Sequence, residues 1–180
     1  SQLLSNTATS FGGGLYNGNG RVVMDAVIFA VNGARNGGGL FNEGAGVVSM
    51  AASTVVTNTA AESGGGIGNA GSGSVITLTS GSLVQANAAN AGGGINNHSG
   101  GVVTLSASSV VSNTANTNGG GIHNSGGAIT LANGSLVQEN RATNNGGGIW
   151  NQSAGAVTIN NSAVLSNTVI GSGGGIYNSS

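Results

Sequence analysis

A run of three glycines recurs along this chain, starting at Gly12, Gly37, Gly64, Gly92, Gly119, Gly146 and Gly173, so that successive runs lie 25, 27, 28, 27, 27 and 27 residues apart. A period of this size, held from one end to the other, is the mark of a solenoid. One unit cannot bury its own apolar residues and must stack on its neighbours. The rest of the unit repeats in step. Each triplet is followed by Leu15, Leu40, Ile67, Ile95, Ile122, Ile149 or Ile176. Two positions later stands Asn17, Asn42, Asn69, Asn97, Asn124, Asn151 or Asn178. After a turn rich in Ser and Gly comes a β-prone run, as in VITL at 75–78, VVTL at 102–105, AITL at 128–131 and AVTI at 156–159. The unit closes on the phrase Ser-x-Val-x-x-Asn, whose asparagines are Asn6, Asn32, Asn58, Asn87, Asn113, Asn140 and Asn167.

Apolar residues alternate with period two in these runs, and no segment carries helical spacing long enough for a helix. The pattern predicts an all-β chain. The expected architecture is a right-handed parallel β-helix forming one domain over 1–180, with six to seven coils of about 27 residues and three short strands per coil. Equivalent residues then stack about 4.8 Å apart, giving a rod on the order of 32 Å long. The Leu or Ile after each triplet points inward and the next residue outward. The glycines allow a tight turn and close approach of coils. Both Asn series are expected at corners, bonded coil to coil and taking up left-handed turn geometry. Such a ladder helps only if it is continuous, because a buried unpaired amide costs more than the roughly 1 kcal/mol that one bond contributes.

Composition narrows the partners. Only 4% of residues are charged while 38% are hydrophobic, so the surface must be built of Asn, Ser, Thr, Gln and Gly. A net charge of −1 offers no electrostatic footprint for nucleic acid. The absence of cysteine removes disulfides, zinc thiolate sites and thiol catalysis. No apolar run approaches the ~20 residues of a membrane-spanning helix. No cofactor is expected.

The Gly-Gly-Gly-Ile/Leu phrase and the closing x-x-Asn phrase resemble the repeats of bacterial polymorphic outer-membrane proteins and related β-helical autotransporter adhesins. That family carries a Gly-Gly-Ala-Ile type phrase and a Phe-x-x-Asn phrase. The first is matched seven times here, with Gly for Ala. The second is matched literally at Phe29-Ala30-Val31-Asn32, and elsewhere Leu3, Val55, Val84, Val110, Val137 or Val164 replaces the Phe. The resemblance spans the chain and implies a bacterial surface or secreted protein that adheres or forms a scaffold.

Candidate chemistry is sparse. The charged residues are Arg21, Asp25, Arg35, Glu43, Glu62, Glu139 and Arg141. Asp25 and Glu43 could lie one coil apart near Arg21, the one arrangement open to acid–base catalysis; isolated surface charges are the favoured reading. His98 and His123 have no Cys or acidic ladder beside them, so no metal site is expected. Ser125 lacks an acid partner for a triad. Asn69 stands where a calcium-binding repeat would need aspartate.

The outward slot beside the triplets holds Tyr16, Phe41, Gly68, Asn96, His123, Trp150 and Tyr177. Tyr16, Phe41, His123, Trp150 and Tyr177 form a candidate contact strip for sugar rings or another chain, although aromatics also favour strand surfaces without any ligand. The middle strand places Ser49, Thr77, Thr104, Thr130 and Thr158 in one outward column, the kind of array an ice-binding face would use. The third strand lines up Leu4, Val56, Val111 and Leu165, with Leu83 and Leu136 beside them, as a stripe for lateral contact. The chain begins in a third strand and ends in a first strand with no cap, which reads as a segment of a longer protein or a protomer covered by neighbours. Asn97 and Asn151 fit the glycosylation pattern. The function expected is a non-catalytic, extracellular or cell-surface rod, structural or adhesive, packing with copies of itself into filaments or a scaffold. A polysaccharide-binding or ice-binding module is the alternative.

Overall fold

The computed structural model describes residues 1–179. They form a parallel β-solenoid, and no helix occurs among the described residues. Every strand pairs in parallel with its equivalent in the adjacent coil, on both sides except at the two ends of each sheet. The first sheet runs from Leu15–Asn17 to Ile176–Asn178 and the second from Arg21–Asp25 to Ala156–Ile159. The third runs from Gln2–Leu4 to Ala163–Leu165. Registers follow the sequence repeat: Leu40 lies over Leu15, Ile67 over Leu40 and Ile95 over Ile67.

A fourth sheet, from Gly33–Asn36 to Thr168–Val169, corrects the expectation of three strands per coil. Its later strands are two residues long, such as Ala88–Ala89 and Thr114–Ala115. The inward residue is small, being Ala60, Ala89, Ala115 or Ala142, each buried. Two residues ending on alanine carry no apolar alternation, so the period-two signal is absent there.

Three faces supply the core. Leu40, Ile67, Ile95, Ile122 and Ile149 come from the first sheet, Val48, Ile76, Val103 and Ile129 from the second, and Phe29, Val55, Val84, Val110 and Val137 from the third. All are essentially inaccessible. Each large aliphatic buried this way contributes roughly 1.5–3 kcal/mol.

The triplet has three separate reasons to be glycine. The first residue takes a positive φ in every coil, from 60° at Gly12 to 72° at Gly173, where a Cβ is strained. The second passes so close to the next coil that a Cβ on Gly65 would overlap the carbonyl oxygens of Gly93 and Ala88. The third faces the opposite corner: a Cβ on Gly121 would lie 2.8 Å from the Gly148 oxygen and 2.9 Å from the Asn140 amide.

Both Asn series form ladders. Along the first, Nδ2 donates to the next coil's Oδ1 from Asn17 through Asn42, Asn69, Asn97, Asn124 and Asn151 to Asn178, at 2.6–2.8 Å. Along the second the same bond runs from Asn6 through Asn32, Asn58, Asn87, Asn113 and Asn140 to Asn167, at 2.9–3.0 Å. The left-handed residue is not the asparagine, as expected, but the one preceding it in the second series: Ser5, Val31, Thr57, Ala86, Ser112, Glu139 and Ser166 have φ of 51–57°. That turn aims the Asn side chain inward. Between the second and third sheets, Ser80-Gly81 and Asn133-Gly134 stand where other coils turn on one left-handed residue, Ala52, Ala107 or Asn161. Length also varies in the turn after the first sheet and in the stretch before the triplet, and the strand registers survive it apart from a shift between Ala34 and Asn36.

Candidate functional site

The outward column of the first sheet does not form one strip. It splits into two clusters with different exposure. At the N-terminal end Tyr16 and Phe41 are parallel with ring centroids 6.4 Å apart. Phe41 is 3% exposed and lies over Gly68, where a Cβ would strike its ring. Phe11, which the repeat pattern did not flag, completes this cluster. Its ring sits 4.6 Å from Phe41, and it is 41% exposed, against 49% for Tyr16. No repeat signal marks Phe11, whose bridge to Asn36 of the next coil lies just before the triplet. The Tyr16 hydroxyl donates to Glu43, and that bond holds the phenol above its ordinary pKa.

Further along, His123 stacks on Trp150 at 4.3 Å. Both are half-buried. The two ring nitrogens of His123, the Trp150 indole nitrogen and Asn96 Oδ1 are buried with no hydrogen-bond partner among the described residues. Burial, reinforced by His98, pushes the His123 pKa down to about 4. Burial also lowers that of His98, against the opposing pull of Glu43. Tyr177 pairs in register with Trp150.

In the second sheet Ser49, Thr77, Thr104, Thr130 and Thr158 stand in one register column, on strands of four or five residues. They are half-buried except Thr158, which is exposed. Val23 extends the column and is 66% exposed. In the third sheet the expected stripe is interrupted. Its column reads Leu4, Ala30, Val56, Gln85, Val111, Gln138, Leu165. Where Gln stands there, Leu83 or Leu136 occupies the neighbouring column, so apolar groups zigzag between coils.

Asp25 closes a second-sheet strand and pairs with Ala51, whereas Glu43 ends a first-sheet strand and binds Tyr16. The two carboxylates belong to different faces and are not brought together with Arg21. No group of three potential metal ligands occurs among the described residues. Asn97 and Asn151 are buried in the first ladder, so neither side chain is open to glycosylation in the folded chain.

The feature least legible in the sequence is a groove along the fourth sheet. Its largest part, about 690 Å³, is lined by Thr7, Thr9, Arg35, Thr59 and Glu62 over a floor that includes Ala34 and Ala60. It continues past Ala88, Asn90 and Asn116, and a further hollow lies at Arg141, Thr168 and Ile170. Arg35 Nη2 lies 2.7 Å from Glu62 Oε1. Hydrogen bonds from Arg35 and Asn36 hold the Glu62 carboxyl below its ordinary pKa. The first and third residues of each fourth-sheet stretch face outward, which gives two exposed columns beside each other.

Set beside known proteins, the chain matches no family model, no curated protein and no solved structure.

Proposed function

We propose that this chain is a non-catalytic rod of the cell surface or extracellular space, structural or adhesive, that packs alongside copies of itself. The observation carrying this reading is the pair of unbroken asparagine ladders. They bond each coil to the next along the whole rod, independently of what the outer columns display. A stiff interior with a free choice of surface is what a spacer or scaffold requires. The exterior suits lateral packing: few charges oppose contact, and the third sheet presents Leu4 and Leu165 at 46% and 48% exposure. Electron microscopy of native material, with sedimentation over a concentration series, tests it. Bundles or concentration-dependent association are expected; a protein that stays monomeric at millimolar concentration overturns self-packing.

A second reading has its own observation, the straight Ser49–Thr77–Thr104–Thr130–Thr158 column on the longest strands. A regular array of hydroxyls and methyls without charge could order water against an ice surface. Thermal hysteresis of the purified protein decides it: none at millimolar concentration removes this reading.

A further inference from the structure

We propose that the N-terminal part of the fourth-sheet groove, with the exposed rings of Phe11 and Tyr16 beside it, binds a neutral polysaccharide chain. This goes beyond the scaffold reading and does not depend on it.

Two features meet at this end of the rod. The first is a wide hollow on the molecule's fourth face, with hydroxyls of Thr7, Thr9 and Thr59 on a floor of small residues. The second is the aromatic cluster. They are joined through Asn36, which pairs with Phe11 on one side and donates to Glu62 of the groove on the other, at 3.2 Å. Hydroxyl and carboxylate groups next to aromatic faces are the chemistry that recognises a pyranose, whose rim carries hydroxyls and whose faces carry C–H groups.

The rings are held before any ligand arrives. Phe11 packs on the buried Phe41 at 4.6 Å, and the Tyr16 hydroxyl is tied to Glu43. Side chains already ordered lose little entropy on binding. Among the exposed large apolar side chains of the described residues, Phe11 and Tyr16 are the aromatic ones, and they lie together.

Charge selects the ligand class. Arg35 is compensated by Glu62 at 2.7 Å, and the Tyr16 hydroxyl bonded to Glu43 is itself uncharged, so neither offers a free cation to an anionic polymer. The groove therefore offers polar donors and acceptors without a net charge to match, which favours a neutral polymer over an anionic one. The hollow continues over successive coils. Coils advance about 4.8 Å, close to the advance per ring of an extended hexose chain, so the fit is to a chain and not to a single sugar.

Native electrophoresis through gels carrying hydroxyethylcellulose, laminarin or xyloglucan tests this, with polygalacturonate as the charged comparison. The parent protein should be retarded by at least one neutral polymer. The Phe11→Ala/Tyr16→Ala variant should bind it at least tenfold more weakly, with an unchanged circular dichroism spectrum. Thr59→Gln, which fills the groove without touching the rings, should also weaken it, while Val23→Ala on the second sheet should not. Retardation that survives the aromatic substitutions, retardation by polygalacturonate alone, or no retardation by any neutral polymer overturns the assignment.

Discussion

The two asparagine corners look alike in sequence and differ in what they bond. In the corner between the third and fourth sheets, Asn113 Oδ1 accepts both the backbone N–H and the side-chain Nδ2 of Asn87. Asn113 Nδ2 reaches forward to Asn140 and back to the Val84 carbonyl. One side chain thus ties three coils. In the corner between the first and second sheets, Asn97 Nδ2 donates to Asn124 and to Gly101 of its own turn. Its Oδ1 accepts from Asn69, which also has weaker acceptors in Ser74 and Val102. Both side chains bond the coils on either side; the first also anchors a neighbour's backbone N–H and a carbonyl of the preceding coil, whereas the second also closes its own turn. The lesson is that a repeated residue type does not imply a repeated energetic role.

The largest effect should come from Asn113→Ala. It strands the Asn87 backbone N–H and leaves Val84 and Asn140 each short of a donor, all in a dry interior. A loss of about 4 kcal/mol is expected from the usual cost of unmade buried hydrogen bonds, read by denaturant unfolding. A loss below about 1 kcal/mol would break the distinction between the corners.

Acid should act on neither corner, because amides do not titrate. It should act on the outer column through His123, whose pKa falls from 6.5 to about 4 on folding. The unfolded chain then binds more protons between those values. Stability is full above about pH 6.5, declines as the pH falls towards about 4 and levels off below it, a loss on the order of 3 kcal/mol. His98, lowered by burial, adds to the same trend. Melting temperature against pH for the parent and His123→Gln checks this, with fluorescence of the single tryptophan as a local reporter. A variant with the parent's slope would place the acid sensitivity elsewhere.

Asn97→Ala should cost about 2 kcal/mol, since Asn69 keeps weaker acceptors and the loss centres on Gly101 and Asn124. If it unfolds as readily as Asn113→Ala, the two corners are equivalent after all. The smallest effect is a gain. Val31 is β-branched, 61% exposed and held at a φ of 57°. Val31→Gly should relieve that strain and stabilise by about 1 kcal/mol. A neutral or destabilising result would mean that the corner gains nothing from a residue free to adopt its turn.

Much of the fold could be read from spacing. The Ile and Leu beside the triplets fall inside because alternation leaves them one choice, and each coil repeats that choice. The fourth strand could not be read, since Thr-Ala or Arg-Ala carries no periodic signal. Neither could the left-handed residue: Val31, Thr57 and Glu139 are poor candidates for a positive φ, and only the demand that the next Asn point inward places it there. For the outer surface, sequence aligned the aromatic slots correctly but could not predict which rings would be covered. Phe41 is buried because Gly68 of the next coil leaves room for it, and Phe11 joins it from outside the repeat.

The sequence by itself determined the solenoid, its period and the residues that fill its interior, because a near-constant repeat leaves stacking as the only way to hide the apolar groups. Tertiary structure alone decided the four-sided cross-section, the two kinds of asparagine corner and the groove beside Phe11. These depend on how one coil's side chains meet the backbone of the next, and that meeting is made across about 27 residues of intervening chain.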